Sequence, residues 1–208
     1  MYEDSEQKIE QTKTTAMKLD IMLAGVGGQG TLSIATVIGV AAVDAGIHLK
    51  QAEAHGMSQR GGDVQSHLRL STEAIHSDLI TRGHADMVLA LEPMEALRYV
   101  PYLSPDGIIV TSSVPFINIP DYPDVNEIER ELSGFPRVIK ADIEAAAAAA
   151  GIVRSPNMVL LGMAAPYLKI LSPESVRRAI SVFFANKGDQ VVAANLKAFD
   201  IGLEMVGK

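Results

Sequence analysis

A glycine-rich turn between an apolar strand and an apolar helix constrains this chain more than any other feature. KLDIMLAG (residues 18–25) is a short apolar run ending in glycine, as a buried strand does. Gly25-Val26-Gly27-Gly28-Gln29-Gly30 then satisfies G-x-G-x-x-G. From Gln29 to Ala45 apolar residues recur at helical spacing, and Gly46 supplies a C-terminal stop. A strand feeding a helix through so tight a turn predicts a loop whose amides lie at the positive end of the helix, ready for an anion. The same glycines also suit close strand–helix contact with no ligand, and the pattern alone leaves both readings open.

The remainder repeats the strand–helix alternation. IHLKQAE (47–53), DMVLAL (86–91), IIVTSS (108–113) and PRVIKAD (136–142) read as strands. In DVQSHLRLS (63–71), Val64, Ser66, Leu68 and Leu70 alternate with Gln65, His67 and Arg69, which predicts a half-exposed strand with His67 solvated beside Arg69. Glu92 to Val100 reads as a short helix, Asp106-Gly107 as a turn, 114–125 as an irregular loop with three prolines, and Glu127 to Ser133 as a short polar helix. Ile143 to Ala150 is an alanine-rich helix closed by Gly151. Ser155 and Ser172, each followed by a proline in the first turn, are expected to cap helix starts. Asn157 to Leu171 is apolar almost all round, predicting a fully buried helix. Within it Asn157 is expected to satisfy backbone groups and Gly162 to admit a close helix contact. A last helix runs from about Asp189 to Met205. Together these predict a three-layer α/β/α sandwich around a largely parallel or mixed Rossmann-like sheet, with a helical C-terminal third. Residues 1–17 are polar and read as a mobile arm, leaving 18–208 as a single domain.

Composition excludes several functions. With no cysteine, the chain carries no disulfide framework, thiolate nucleophile or thiolate-ligated cluster. A net charge of −7 and an absence of tryptophan argue against nucleic-acid binding. No apolar stretch approaches the roughly 18 residues of a membrane span, so a cytoplasmic chain without membrane contact is expected. All five histidines lie between residues 48 and 84, but their spacing puts no pair on one face at ligand distance, and no metal site is expected.

A second motif sits where a dinucleotide-binding unit would place its ribose acid. Glu53 lies 23 residues beyond Gly30 and opens Glu53-Ala54-His55-Gly56-Met57-Ser58-Gln59-Arg60-Gly61-Gly62. Gly61 and Gly62 directly after it leave the Arg60 fork little shielded from a carboxylate or phosphate. A loop of this kind is expected at the same sheet edge as Gly25–Gly30.

The two motifs in order, with SPNMVLLGMAAP (155–166) and AANLKAFDIG (193–202), resemble the small, gamma-type subunit of 2-oxoacid:ferredoxin oxidoreductases over residues 18–205. The E-x-H-G-M-S-Q-R-G-G form is most similar to the beta subunit of the indolepyruvate branch. The resemblance implies a complex that oxidatively decarboxylates a 2-oxoacid with thiamine diphosphate, passes electrons through iron–sulfur clusters to ferredoxin, and transfers the acyl group to coenzyme A. With no cysteine and no Gly-Asp-Gly…Asn thiamine signature here, thiamine diphosphate, Mg and the 4Fe-4S clusters are expected on a larger partner subunit, and this chain is expected to be inactive alone.

The candidate ligand- or partner-binding residues are therefore Gly25, Gly27, Gly28, Gln29, Gly30, Glu53, His55, Gly56, Ser58, Gln59, Arg60, Gly61 and Gly62. His55 and Arg60 are the two candidates for a catalytic part. Two other readings remain open at the level of sequence: a free-standing NAD- or FAD-binding protein using Gly25–Gly30 and Glu53, and a purely structural assembly subunit.

Overall fold

A computed structural model describes residues 16–56, 61–117 and 119–207, and of His55 the backbone alone. Residues 1–15 of the expected N-terminal arm lie outside the described residues. At its end the Met17 amide donates to Thr72 Oγ1 at 3.1 Å.

Six strands form one mixed sheet among the described residues, in the order β2-β3-β1-β4-β5-β6. They are β1 (Lys18–Val26), β2 (His48–His55), β3 (Asp63–Ser71), β4 (Ala85–Ala90), β5 (Leu103–Ser112) and β6 (Val138–Ala141). Strands β1, β4, β5 and β6 run parallel, whereas β3 lies antiparallel to both β1 and β2. The helices are α1 (Thr31–Asp44), α2 (Pro93–Tyr99), α3 (Val125–Ser133), α4 (Ile143–Ala149), α5 (Pro156–Ala164), α6 (Pro173–Phe184) and α7 (Asp189–Val206).

Strand pleating divides the core in two, since successive side chains point to opposite faces. Ile21, Leu23, Met87, Leu89 and Val110 pack against α1 and α4–α7 on one face. Met22, Ala24, Val88, Ala90 and Ile109 pack against α2 and α3 on the other. This is the expected three-layer sandwich with a helical C-terminal third.

Helices α5 and α7 cross at two facing glycines. A Cβ on Gly162 would lie 2.1 Å from the Phe199 carbonyl oxygen, and one on Gly202 would lie 1.9 Å from that of Val159. Only hydrogen fits at either position, so the two backbones touch and α5 is buried throughout from Asn157 to Ala164. The apolar run does not continue as one helix to Leu171. It tightens to a 3₁₀ turn at Ala165–Tyr167 and breaks at Lys169, whose φ is +30°. Pro166 explains the stop, because its ring removes an amide and clashes with the preceding turn.

Three other expectations are corrected. Strand β3 is covered on both faces: the segment after it folds back so that the Ile80 amide donates to His67 Nδ1 at 3.0 Å, and Arg69 binds Asp20 through Nε at 2.8 Å. His67 is thus buried rather than solvated, edge-on to the Tyr102 ring. Asp106-Gly107 falls within β5, at a shift in its register against β4, and is not a separate turn. Ser155 precedes α5 but makes no side-chain cap, whereas Ser172 caps α6 by accepting from the Ser175 amide.

Candidate functional site

The topology creates a crevice before any side chain is considered. The helix after β1 packs on one face and the helix after β4 on the other. Between the carboxyl ends of these neighbouring strands the chain diverges, which is where open α/β sheets hold ligands. The Gly25–Gly30 loop lies there, opposite Leu91, whose amide donates to the Ala24 oxygen at 3.0 Å.

Gln29 shapes the loop from within. Its Oε1 accepts from the Val26 amide at 2.7 Å and its Nε2 donates to the Leu91 oxygen at 3.4 Å. It therefore ties β1 to β4, a structural duty that leaves its side chain little freedom for a ligand. Gly28 and Gly30 have φ of +103° and +94°, a region that side chains rarely adopt. Gly25 is needed for space: a Cβ there would lie 2.9 Å from Thr31 Oγ1 and 3.3 Å from Leu91 Cβ.

Not every loop amide is available. The Gly27 amide donates to the Gly62 oxygen at 2.8 Å, and that of Gln29 to the Val26 oxygen at 3.0 Å. Those of Gly28, Gly30, Thr31 and Leu32 make no backbone bond among the described residues. They stand at the N-terminus of the 14-residue α1, which carries no side-chain cap. Thr31 Oγ1 is buried there without a hydrogen-bond partner. Four amides, a helix dipole and one unspent hydroxyl favour an oxyanion such as phosphate or carboxylate.

The two sequence motifs do meet. Besides the Gly27–Gly62 bond, the Gly61 amide donates to the Gly27 oxygen at 3.4 Å. The reason is directional: β2 is antiparallel to β3 and β3 to β1, so the end of β2 and the start of β3 fall at the carboxyl end of β1. Gly56 follows β2, its amide donating to the Asp63 oxygen at 3.0 Å. The His55 backbone faces Val64. Met57, Ser58, Gln59 and Arg60 lie outside the described residues.

Glu53 is brought elsewhere. It is exposed on β2 and faces Ser66 of β3, which in turn faces Leu23 of β1. A whole strand intervenes, so Glu53 stands about 10 Å from the strand whose ribose it would bind in a dinucleotide unit. The free-standing NAD- or FAD-binding reading is not favoured on this geometry. As for the histidines, His48, His76 and His84 are exposed, and among the described residues no three His, Asp or Glu side chains are grouped to hold a metal ion.

A buried acidic group behind the paired loops escaped the sequence reading. Asp63, the first residue of β3, accepts from the Tyr99 hydroxyl at 2.7 Å. Glu95 in the first turn of α2 is 2% exposed and accepts from Arg98 Nε at 2.9 Å. Glu92 is fully buried: it caps α2 by accepting from the Glu95 amide at 2.8 Å, and it also accepts from the Phe116 amide and the Tyr122 hydroxyl. Burial pushes the Glu95 carboxyl up to about 7, with Arg98 opposing and Asp63 reinforcing the shift. Burial and the neighbouring carboxylates push both tyrosines upward as well. Capping acids at a helix start are ordinary, and only the fold reveals that Asp63 is aimed at the same spot.

The loop after β5 adds an apolar rim. Val114, Phe116, Ile117 and Ile119 are all exposed there, and the Phe116 amide is held by Glu92. No helix among the described residues is long and apolar enough to cross a membrane.

Comparison with known proteins agrees with this architecture. The model of the pyruvate ferredoxin/flavodoxin oxidoreductase family matches residues 20–205. Indolepyruvate oxidoreductase subunit IorB of Archaeoglobus fulgidus is 38% identical over 194 residues, covering 89% of this chain and 94% of that one. Among solved structures, a 2-oxoglutarate:ferredoxin oxidoreductase from Magnetococcus marinus, determined with 2-oxoglutarate, coenzyme A and succinyl-CoA bound, superposes with a TM-score of 0.71 at 25% identity. The match covers 91% of this chain but 31% of that longer polypeptide, so the chain spans about a third of it. The gamma subunit of a keto/oxoacid ferredoxin oxidoreductase from Geobacter sulfurreducens shares the fold, with a TM-score of 0.65, 24% identity, and coverage of 90% and 98%. The chain belongs to the pyruvate ferredoxin/flavodoxin oxidoreductase family and is of the size and fold of its small, gamma-type subunits.

Proposed function

We propose that this chain is the small, cofactor-free subunit of a 2-oxoacid:ferredoxin oxidoreductase acting on indolepyruvate or a related aryl pyruvate. It completes the active site of a larger subunit that holds thiamine diphosphate, Mg and the 4Fe-4S clusters and passes electrons to ferredoxin. The absence of cysteine supports that division, since the chain has no thiolate to ligate a cluster. The exposed apolar rim from Val114 to Ile119 supports a protein partner on this edge, because contiguous exposed apolar side chains mark interaction surfaces. The assembled enzyme is cytoplasmic.

One observation carries the ligand contact. The paired Gly25–Gly30 and Gly61–Gly62 segments leave four amides and Thr31 Oγ1 at the start of α1, in the crevice where the chain diverges. That set fits an oxyanion, and the reading is that it takes a phosphate of coenzyme A or the carboxylate of the 2-oxoacid, with Arg60 contributing its guanidinium. Reconstitution with the larger subunit tests this. Arg60→Ala is expected to raise KM for one of the two substrates about tenfold. Unchanged kinetics for both would leave the edge a purely structural contact, and 2-oxoacid oxidation by the purified chain alone would refute the division of labour.

A further inference from the structure

We infer that Asp63 and Glu95 share one proton, and that Glu95, acting through Asp63, is a positioning residue for the paired glycine loops. Two acceptors at the start of β3 are unmatched. Asp63 Oδ2 receives the Tyr99 hydroxyl at 2.7 Å, but Asp63 Oδ1 is buried with no donor in reach. Gln65, next on the same face of β3, has its Oε1 buried and unpartnered too. The groups facing Glu95 are Arg98 and Tyr99 from α2, Asp63 from β3, Glu92 from the residue before α2, and Tyr122 from the loop before α3. Three carboxyl groups thus surround a single cation, and Arg98 is half-exposed.

Water does not reach the 2%-exposed Glu95 to relieve that imbalance. A proton does. Held on Glu95, it supplies the donor that Asp63 Oδ1 lacks and removes one of two neighbouring negative charges. Burial and the Asp63 carboxylate both act in that direction, while Arg98 opposes them.

What Asp63 then holds is the start of β3. It faces Val26 across the ladder and follows Gly61-Gly62, whose bonds to Gly27 join the two loops. Loss of the proton sets two carboxylates against each other at this hinge. Loosening should reach the Gly27 amide first, because its acceptor, the Gly62 oxygen, immediately precedes Asp63.

Hydrogen exchange of the Gly27 amide in the full-length chain tests this without partner or substrate, so its outcome is independent of the proposed function. After correction for intrinsic rates, protection in the wild type is expected to fall about tenfold between about pH 6 and about pH 8.5. Glu95→Gln, which keeps a donor at every pH, is expected to hold protection constant, and Glu95→Ala to lose it at both pH values. A pH-independent wild type, or a Glu95→Gln variant that loses protection as the wild type does, overturns the inference.

Discussion

The side-chain amide of Asn157 donates to the main-chain oxygen of Gly30 at 3.3 Å, joining the first turn of α5 to the glycine loop across 127 residues of sequence. Its Oδ1 accepts from the Met158 amide at 3.1 Å, so one side chain both orders the start of α5 and holds the residue that immediately precedes α1. The helical C-terminal third is thereby a support for the crevice rather than an appendage.

This contact predicts coupling between the two positions. A Cβ on Gly30 would lie 2.5 Å from Asn157 Nδ2 and would sit at a φ of +94°. Gly30→Ala is expected to cost about 3 kcal/mol in the wild type, and about 1–2 kcal/mol once Asn157→Ala has removed the clash. Urea unfolding of the double-mutant cycle measures the difference; strictly additive costs would show that the contact carries no coupling.

The α5–α7 crossing predicts a larger effect. Gly162→Ala and Gly202→Ala each force a methyl against a carbonyl oxygen at 2.1 and 1.9 Å, where neither helix backbone can yield alone. Each is expected to cost at least about 3 kcal/mol, read as a lower urea midpoint. Because either substitution already separates the helices, the pair should cost less than the sum.

Stability should fall with rising pH through the range governed by Glu95. Its carboxyl is raised to about 7 in the fold, so between the ordinary carboxylate range and about 7 the folded chain retains a proton that the unfolded chain has released. The native state is fully favoured below that interval and loses about 2–3 kcal/mol across it. Denaturation of wild type and Glu95→Gln at several pH values isolates the effect: the difference between their unfolding free energies should follow this curve, and a flat difference would contradict it.

His67 works in the opposite direction. Burial first, and Arg69 second, hold its imidazole below its ordinary value. The unfolded chain therefore takes up a proton before the folded one, and the stability present above the ordinary histidine range is lost as pH falls through the folded value. Since Nδ1 accepts from the Ile80 amide, the neutral ring carries its proton on Nε2. Nitrogen-15 shifts of the His67 ring should show that tautomer at neutral pH, and a ring protonated there would refute it.

Much of the candidate site was legible because its signals are local. The strand, the glycine turn and the helix at 18–45 each declare themselves within a few residues, and the positive φ of Gly28 and Gly30 follows from loop chemistry that only glycine tolerates freely. The helix starts at Ser172 and the stops at Gly46 and Gly151 are of the same kind. Asp63 and Glu95 were not legible as a pair, because 32 residues separate them and each has an ordinary local reading, one opening a strand and the other sitting in a helix's first turn.

The period of two in β3 shows the limit from the other side. It correctly gives which residues share a face, but periodicity reports alternation and not what covers each face. The return of the chain at Ile80 and the edge-on Tyr102 ring, both distant in sequence, cover His67.

By itself, then, the sequence determined the order of elements, the tight glycine turns, the absence of thiolate chemistry and the family. Each depends on local sterics or on which atoms the chain possesses. The tertiary structure decided where strands sit in the sheet. Inserting β3 between β1 and β2 carries Glu53 out of reach of the glycine loop and delivers Gly61 and Gly62 into contact with Gly27. Strand order is set by the burial of both sheet faces at once, a property of the assembled layers that no stretch of sequence holds alone.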